Sequence, residues 1–205
     1  MEIRIYVEGG GDQRAGKDTL QRGMRQFLNP IREKARERRM VFRVIACGSR
    51  NSAFDDFCIA LRSHPDAVNM LLVDAEGPLS SENPWEHLRQ RDPAWRLPDL
   101  PDTCCQLMTQ TMEAWVVADI DALRNYYGQG FNSNPFPGNP DVETFPKERF
   151  EQALKDATRN TTKGEYHKIR HGPDILAHAD PTVVCGRASH CRRLFETLQA
   201  MILAA

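Results

Sequence analysis

A chain of 205 residues has room for one generous domain, or for a domain with a helical extension, and its 40% hydrophobic and 27% charged residues are ordinary for a globular fold. The formal net charge of −1 excludes a global attraction to nucleic acid or membrane, so a nucleic-acid surface has to be a local patch or be supplied by a partner. No uninterrupted apolar run nears the ~20 residues that a bilayer-spanning helix needs, which predicts no membrane association.

The opening MEIRIYVEG alternates Ile3, Ile5 and Val7 with polar residues, the pattern of a strand ending at Glu8 rather than of a signal peptide. A cytoplasmic protein is expected, with Cys47, Cys58, Cys104, Cys105, Cys185 and Cys191 as reduced thiols. None forms a C-x-x-C pair, and Cys185, His190 and Cys191 lack zinc-ligand spacing. Beyond a glycine turn, Leu20, Met24, Phe27, Leu28, Ile31 and Ala35 recur at helical spacing, with Pro30 set to kink or split the helix. VFRVIACG from Val41 reads as a second strand and SAFDDFCIALRSH from Ser52 as a second helix. VNMLLVDAEG from Val68 is almost continuously apolar, as in a parallel strand covered on both faces.

NPWEHLRQ then predicts a short helix and TCCQLMTQ a fourth strand. TMEAWVVADIDALRNYYG predicts one helix closed by Gly128. The following stretch to Pro146 holds four prolines and no periodicity, so it reads as a long loop. Three helical patterns finish the chain: KERFEQALKDAT, HKIRHGPDILAHA and SHCRRLFETLQAMIL. Strands alternating with helices over residues 1–128 predict an α/β core, a layered sheet of about four mainly parallel strands flanked by helices. Residues 129–205 are expected to form a loop and a C-terminal helical extension packed on that core.

The glycine turn supports two chemistries. GDQRAGKD misses the phosphate-loop pattern by one residue, because Asp18 stands where a Ser or Thr hydroxyl would ligate magnesium and Thr19 comes one position late. In the metal reading, Glu8 and Asp74 each stand at the end of an apolar strand, where ligands gather in open parallel sheets. Glu76, two residues past Asp74, faces the same side in extended backbone, and Gly9, Gly10 and Gly11 let Asp12 swing back toward Glu8. The plainer alternative makes these acids turn residues, with Asp12 capping the first helix. Glu113 shares a helical face with Val116, Val117 and Ile120 and so points inward, where a carboxylate is costly unless paired or metal-bound. A first-turn position near the positive end of the helix dipole would also suit it. Trp115 reads as core.

Glu8 with Asp12 four residues on, and the D-x-E of Asp74 and Glu76, resemble the acidic motifs of the Toprim fold of topoisomerases, primases and the overcoming-lysogenization-defect (OLD) nucleases. Thr111-x-Glu113 looks like the Ser-x-Glu of the nuclease branch. The order VEGxxD, LVDxEG, MEAWxxAD and Y-x-K before a helical tail is similar, over most of the chain, to a Toprim-like family of unknown function, domain-of-unknown-function family 4276. Glu76 departs from the usual second aspartate, and the site lysine is Lys163 or Lys168, of which Lys168, after Tyr166 and at the start of a helix pattern, is favoured.

The resemblance implies a Mg²⁺- or Mn²⁺-dependent nuclease of defence or mobile loci, acting on DNA rather than RNA beside an ATPase partner. Glu8, Asp12, Asp74, Glu76 and Glu113 would hold two ions, with Glu8, Glu113 and Lys168 catalytic. A metal- and nucleotide-binding regulatory module without catalysis is the alternative, and a phosphate-loop binder a further one. The basic stretch REKARERRMVFR reads as a solvated helix face, and Arg187, Arg192 and Arg193 as a second weak nucleic-acid candidate.

Overall fold

The computed structural model describes residues 1–136, 138–139 and 141–205. Four strands, β1 (Glu2–Glu8), β2 (Val41–Gly48), β3 (Val68–Asp74) and β4 (Cys105–Met108), form one sheet in the order β2-β1-β3-β4. Every pairing is parallel, and Ile5 lies opposite Val44 on one side and Met70 on the other. Apolar residues cover both faces of β3, which is why its sequence lacks alternation.

The crossovers carry the helices. Between β1 and β2 come α1 (Arg14–Phe27) and α2 (Asn29–Glu37), with Pro30 in the first turn of α2, so the expected helix is split rather than bent. Between β2 and β3 runs α3 (Arg50–Ser63), which starts two residues before the expected position because the Ser49 side chain accepts the Ser52 N–H and caps it. Between β3 and β4 lies α4 (Pro84–Arg91), capped by Asn83.

The single helix expected after β4 is two helices, α5 (Met112–Ala118) and α6 (Ile120–Tyr127). Asp119 interrupts it: its carboxylate accepts the Ala122 N–H at 3.0 Å to start α6 and the Asp180 N–H at 2.9 Å from the C-terminal segment. Gly128 closes α6 at φ 67°, as expected. After the loop, which includes a 3₁₀ turn at Val142–Thr144, come α7 (Lys147–Thr158), α8 (Lys168–His178), α9 (Pro181–Arg187) and α10 (Ser189–Ala204). The short α9 is additional to the three expected helices; Asp180 caps it and Pro181 opens it.

Two apolar cores sandwich the sheet. Ile3, Ile5, Val7, Met70 and Leu72 pack with α1, α2, α5 and the C-terminal helices, including Leu194 and Leu198 of α10. Tyr6, Leu71, Val73 and Leu107 pack on the other face with α3 and α4. Trp115 is fully buried, as its position on α5 predicts. Much of the basic stretch is tied internally: Lys34 donates to Gln199, Arg38 to the Leu203 carbonyl, and Arg36 pairs with Glu33. Arg187 donates to the carbonyls of Ala118 and Asn139, and Arg193 to Asp102 and the Cys105 carbonyl. Among the described residues, no helix is long and apolar enough to cross a membrane.

Candidate metal centre

The chain leaves β1 toward β2 on one side and returns across β1 to β3 on the other, so the crevice between the C-terminal ends of β1 and β3 is the switch point where open parallel sheets bind ligands. Glu8 ends β1 and Asp74 ends β3, on neighbouring strands. One oxygen each from Glu8, Asp74 and Glu76 lie within 4.8 Å of one another. Among the described residues this is the one group of three or more candidate metal ligands. Its all-oxygen donor set suits a hard divalent cation such as Mg²⁺ or Mn²⁺ better than zinc, so the residues present fit that group.

Each carboxylate is held from several sides. Glu8 Oε2 accepts the Asp74 N–H at 3.1 Å and Arg50 Nη1 at 3.2 Å. Asp74, 3% exposed, accepts the Met112 N–H of α5 through Oδ1 at 2.8 Å and Lys168 Nζ through Oδ2 at 3.2 Å. Lys168 also lies 3.2 Å from Glu113 Oε2, while Tyr166 donates to Glu113 Oε1 at 3.2 Å. Glu76 adopts φ 64°, a left-handed conformation uncommon for a non-glycine residue, and pairs with Lys147 of α7.

Arg50 is the hub on the opposite side. It forks onto Asp92 at 2.7–3.2 Å, reaches Glu8 and the Asp74 carbonyl, and lies 5.2 Å from the centroid of the Trp95 ring. Arg50, Lys147 and Lys168 are each the first residue of a helix, α3, α7 and α8. The positive ends of three helices and three side-chain cations therefore surround five acids, Glu8, Asp74, Glu76, Asp92 and Glu113.

The protonation pattern follows from this crowding. Burial raises the pKa of Glu8 against the opposing charge of Arg50. Burial pushes Asp74 up to about 7; Lys168 opposes this, and the charges of Glu8 and Glu113 add to it. For Lys168, burial works against the charged form, but Asp74 and Glu113 prevail and hold the ammonium above its ordinary range. Burial likewise disfavours the Glu76 carboxylate, yet the hydrogen bond and charge of Lys147 hold its pKa below the ordinary value. Tyr166 is raised by burial and by Glu113, so it stays a neutral donor.

The structure gathers Glu8, Asp74, Glu76, Glu113 and Lys168 but not the expected set of five acids. Asp12 is exposed and outside the group: Gly9, Gly10 and Gly11 take φ 122°, 83° and 66°, and the chain enters α1 through Gln13 as its N-cap, so Asp12 neither turns back nor caps. Glu113 stands behind Lys168 rather than in the three-carboxylate group. Lys163 lies 4.8 Å from the Tyr126 ring centroid, on a separate contact. The glycine loop is filled by the chain's own atoms: a Cβ on Gly16 would meet the Gly10 carbonyl oxygen at 2.0 Å, and Gly9 and Gly48 exchange backbone hydrogen bonds. Arg50 and Lys147 escaped the sequence reading; the available signal was a cation in the first turn of a helix, where the dipole disfavours it.

The fold and this pocket define an α/β protein with an acidic site at the switch point of a parallel sheet. The chain belongs to the family described as Domain of unknown function (DUF4276), whose sequence profile matches residues 7–199. No curated protein and no solved structure matches it.

Proposed function

We propose that this chain is a metal-dependent phosphodiesterase of Toprim type that hydrolyses nucleic acid, DNA in preference to RNA. The observation that carries this reading is the Glu8, Asp74 and Glu76 carboxylate group at paired strand ends, with Lys168 against it. Those three residues would hold Mg²⁺ or Mn²⁺, which when bound supplies Lewis-acid polarisation of a phosphoryl oxygen and a more acidic water. Glu8, whose carboxyl is raised by burial, is suited to take the proton of the attacking water. Lys168 neutralises charge gathering on the phosphoryl oxygens, and Glu113 with Tyr166 holds it in place. The internal engagement of many of its arginines favours a substrate delivered by a partner, in keeping with an ATPase of a defence or mobile locus.

A second reading, a regulatory module that binds metal and nucleotide without cutting, draws on Arg50, whose hold on Glu8 would keep that carboxylate from acting as a base.

The test is calorimetric titration of Mn²⁺ into the wild type and the Glu8→Gln and Asp74→Asn variants, followed by incubation with single- and double-stranded DNA and RNA. Binding weakened at least about tenfold in both variants, with Mn²⁺-dependent cleavage only by the wild type, is the expected result. Binding without cleavage selects the regulatory module or a nuclease that needs its ATPase partner, and no binding with no cleavage sinks both readings.

A further inference from the structure

We propose that the exposed side of α1, together with the start of β2, is the surface on which this protein holds the phosphate backbone of its nucleic acid. The inference rests on the reading of the chain as acting on nucleic acid, and it names where the strand lies outside the acidic pocket.

Charge is spread unevenly along the chain. Residues 14–43 carry ten lysines and arginines against three acids, in a protein of net charge −1. Lys34 and Arg38 spend their donors on α10. Arg22, Arg25, Arg32 and Arg43 instead line two adjoining cavities, which share Gln21 and Arg25. One, of about 340 Å³, lies between α1 and β2; its charged lining is Arg4, Arg25 and Arg43, with no acid. The other, of about 300 Å³, is lined by Arg22, Arg25 and Arg32 and by one acid, Asp18.

The acids within reach do not neutralise this face. Arg4 and Arg43 share Glu2, Arg22 pairs with Asp174, and Asp18 pairs with Arg14. Arg32 donates to the Asn29 side chain and to the Arg25 carbonyl, neither of them charged. The Arg25 guanidinium is exposed and has no hydrogen bond or ion pair among the described residues. Six arginines thus stand against three acids. Planar guanidinium forks match the oxygens of a phosphodiester, which makes a nucleic-acid backbone the complementary partner.

The face also points back to the acids. α1 starts just past the glycine turn that follows Glu8, so Arg14 stands at the pocket end of the helix and Arg25 at the far end. Between them the helix rises about 16 Å, the length of about five nucleotides of one strand. A strand entering the acidic pocket can therefore continue over α1. A surplus of three charges gives a salt-sensitive, sequence-independent hold, suited to steadying a strand that a partner delivers.

The test compares wild type with the double variant Arg25→Gln/Arg43→Gln. Its control, Arg62→Gln/Arg89→Gln, removes the same charge from exposed positions of α3 and α4, on the other face of the sheet. Binding of a labelled duplex of about 30 base pairs is followed by fluorescence anisotropy over a series of salt concentrations in EDTA, so neither metal nor cleavage enters. The α1-face variant should bind at least about tenfold more weakly, and its slope of log affinity against log salt should be shallower by about 2, while the control stays within about twofold of wild type. Arg25→Gln alone, which breaks no bond, should show about half of the slope change. Equal losses in both double variants would reduce the effect to net charge. Unchanged binding in the α1-face variant would leave these arginines as guards of β2, the open edge of the sheet. Either result overturns the proposal, as does a wild type that binds no duplex. Mn²⁺-dependent cleavage by a protein whose binding ignores this face leaves the phosphodiesterase reading standing, whereas binding through this face without cleavage bears on that reading alone.

Discussion

Glu143 sits in the long loop yet holds, through its side chain, the start of a helix 46 residues further along the chain. Its carboxylate accepts the Ser189 hydroxyl at 2.6 Å and the His190 N–H at 2.9 Å, and its other contact is His190 Nδ1 at 2.8 Å. Ala188, the residue before α10, has no side chain to cap with, so Glu143 replaces the missing cap. Burial disfavours this carboxylate, but the hydrogen bonds from His190 and Ser189 prevail and hold its pKa below the ordinary 4.5. The stabilisation is therefore complete above the ordinary glutamate value and is lost as pH falls through the lower folded value. Glu143→Gln should lower unfolding free energy at neutral pH by about 1–3 kcal/mol, read by urea denaturation, and the deficit should shrink in acid. At this scale the sequence carried Glu8, Asp74, Glu76 and Lys168 because strand ends and a helix start can be read locally. It did not carry the fate of Asp12, which three positive-φ glycines decide, nor Arg50 and Lys147, whose partners come from elsewhere in the chain.

Helices α1 and α8 approach each other closely at a glycine. A Cβ on Gly23 would stand 2.3 Å from the Pro173 carbonyl oxygen, whereas one on Gly186 of α9 would meet nothing within 4 Å. Gly23→Ala should cost about 1–3 kcal/mol through overpacking, despite the better helix propensity of alanine. Gly186→Ala should be neutral or stabilise by up to about 1 kcal/mol, and thermal denaturation separates the two. Because α8 begins with Lys168, the displacement in Gly23→Ala reaches the acidic pocket as well. Most elements were legible from periodicity, since each helix between strands buries one apolar stripe. The break at Asp119 was not, because the contact of its second oxygen with the Asp180 N–H comes from a segment 61 residues away. The extra helix α9 had a legible cap and proline, Asp180-Pro181, but was too short to show a period.

The division at residue 128 that composition suggests is not a division of the core. Ile3, Ile5 and Met70 of the sheet pack in one cluster with Leu154, Leu176, Leu194 and Leu198 from the last third of the chain. Unfolding followed by far-ultraviolet circular dichroism and by tryptophan fluorescence should therefore give coincident transitions; two separated midpoints would show that the C-terminal helices unfold on their own. Lys168 meets Asp74 across 94 residues of chain, and until it does the buried acids lack that cation. During synthesis the acids emerge from the ribosome first and the lysine much later. A growing chain thus carries Glu8, Asp74 and Glu76 for as long as 94 further residues take to be added before the lysine that balances Asp74 exists, so the pocket is assembled only late in synthesis.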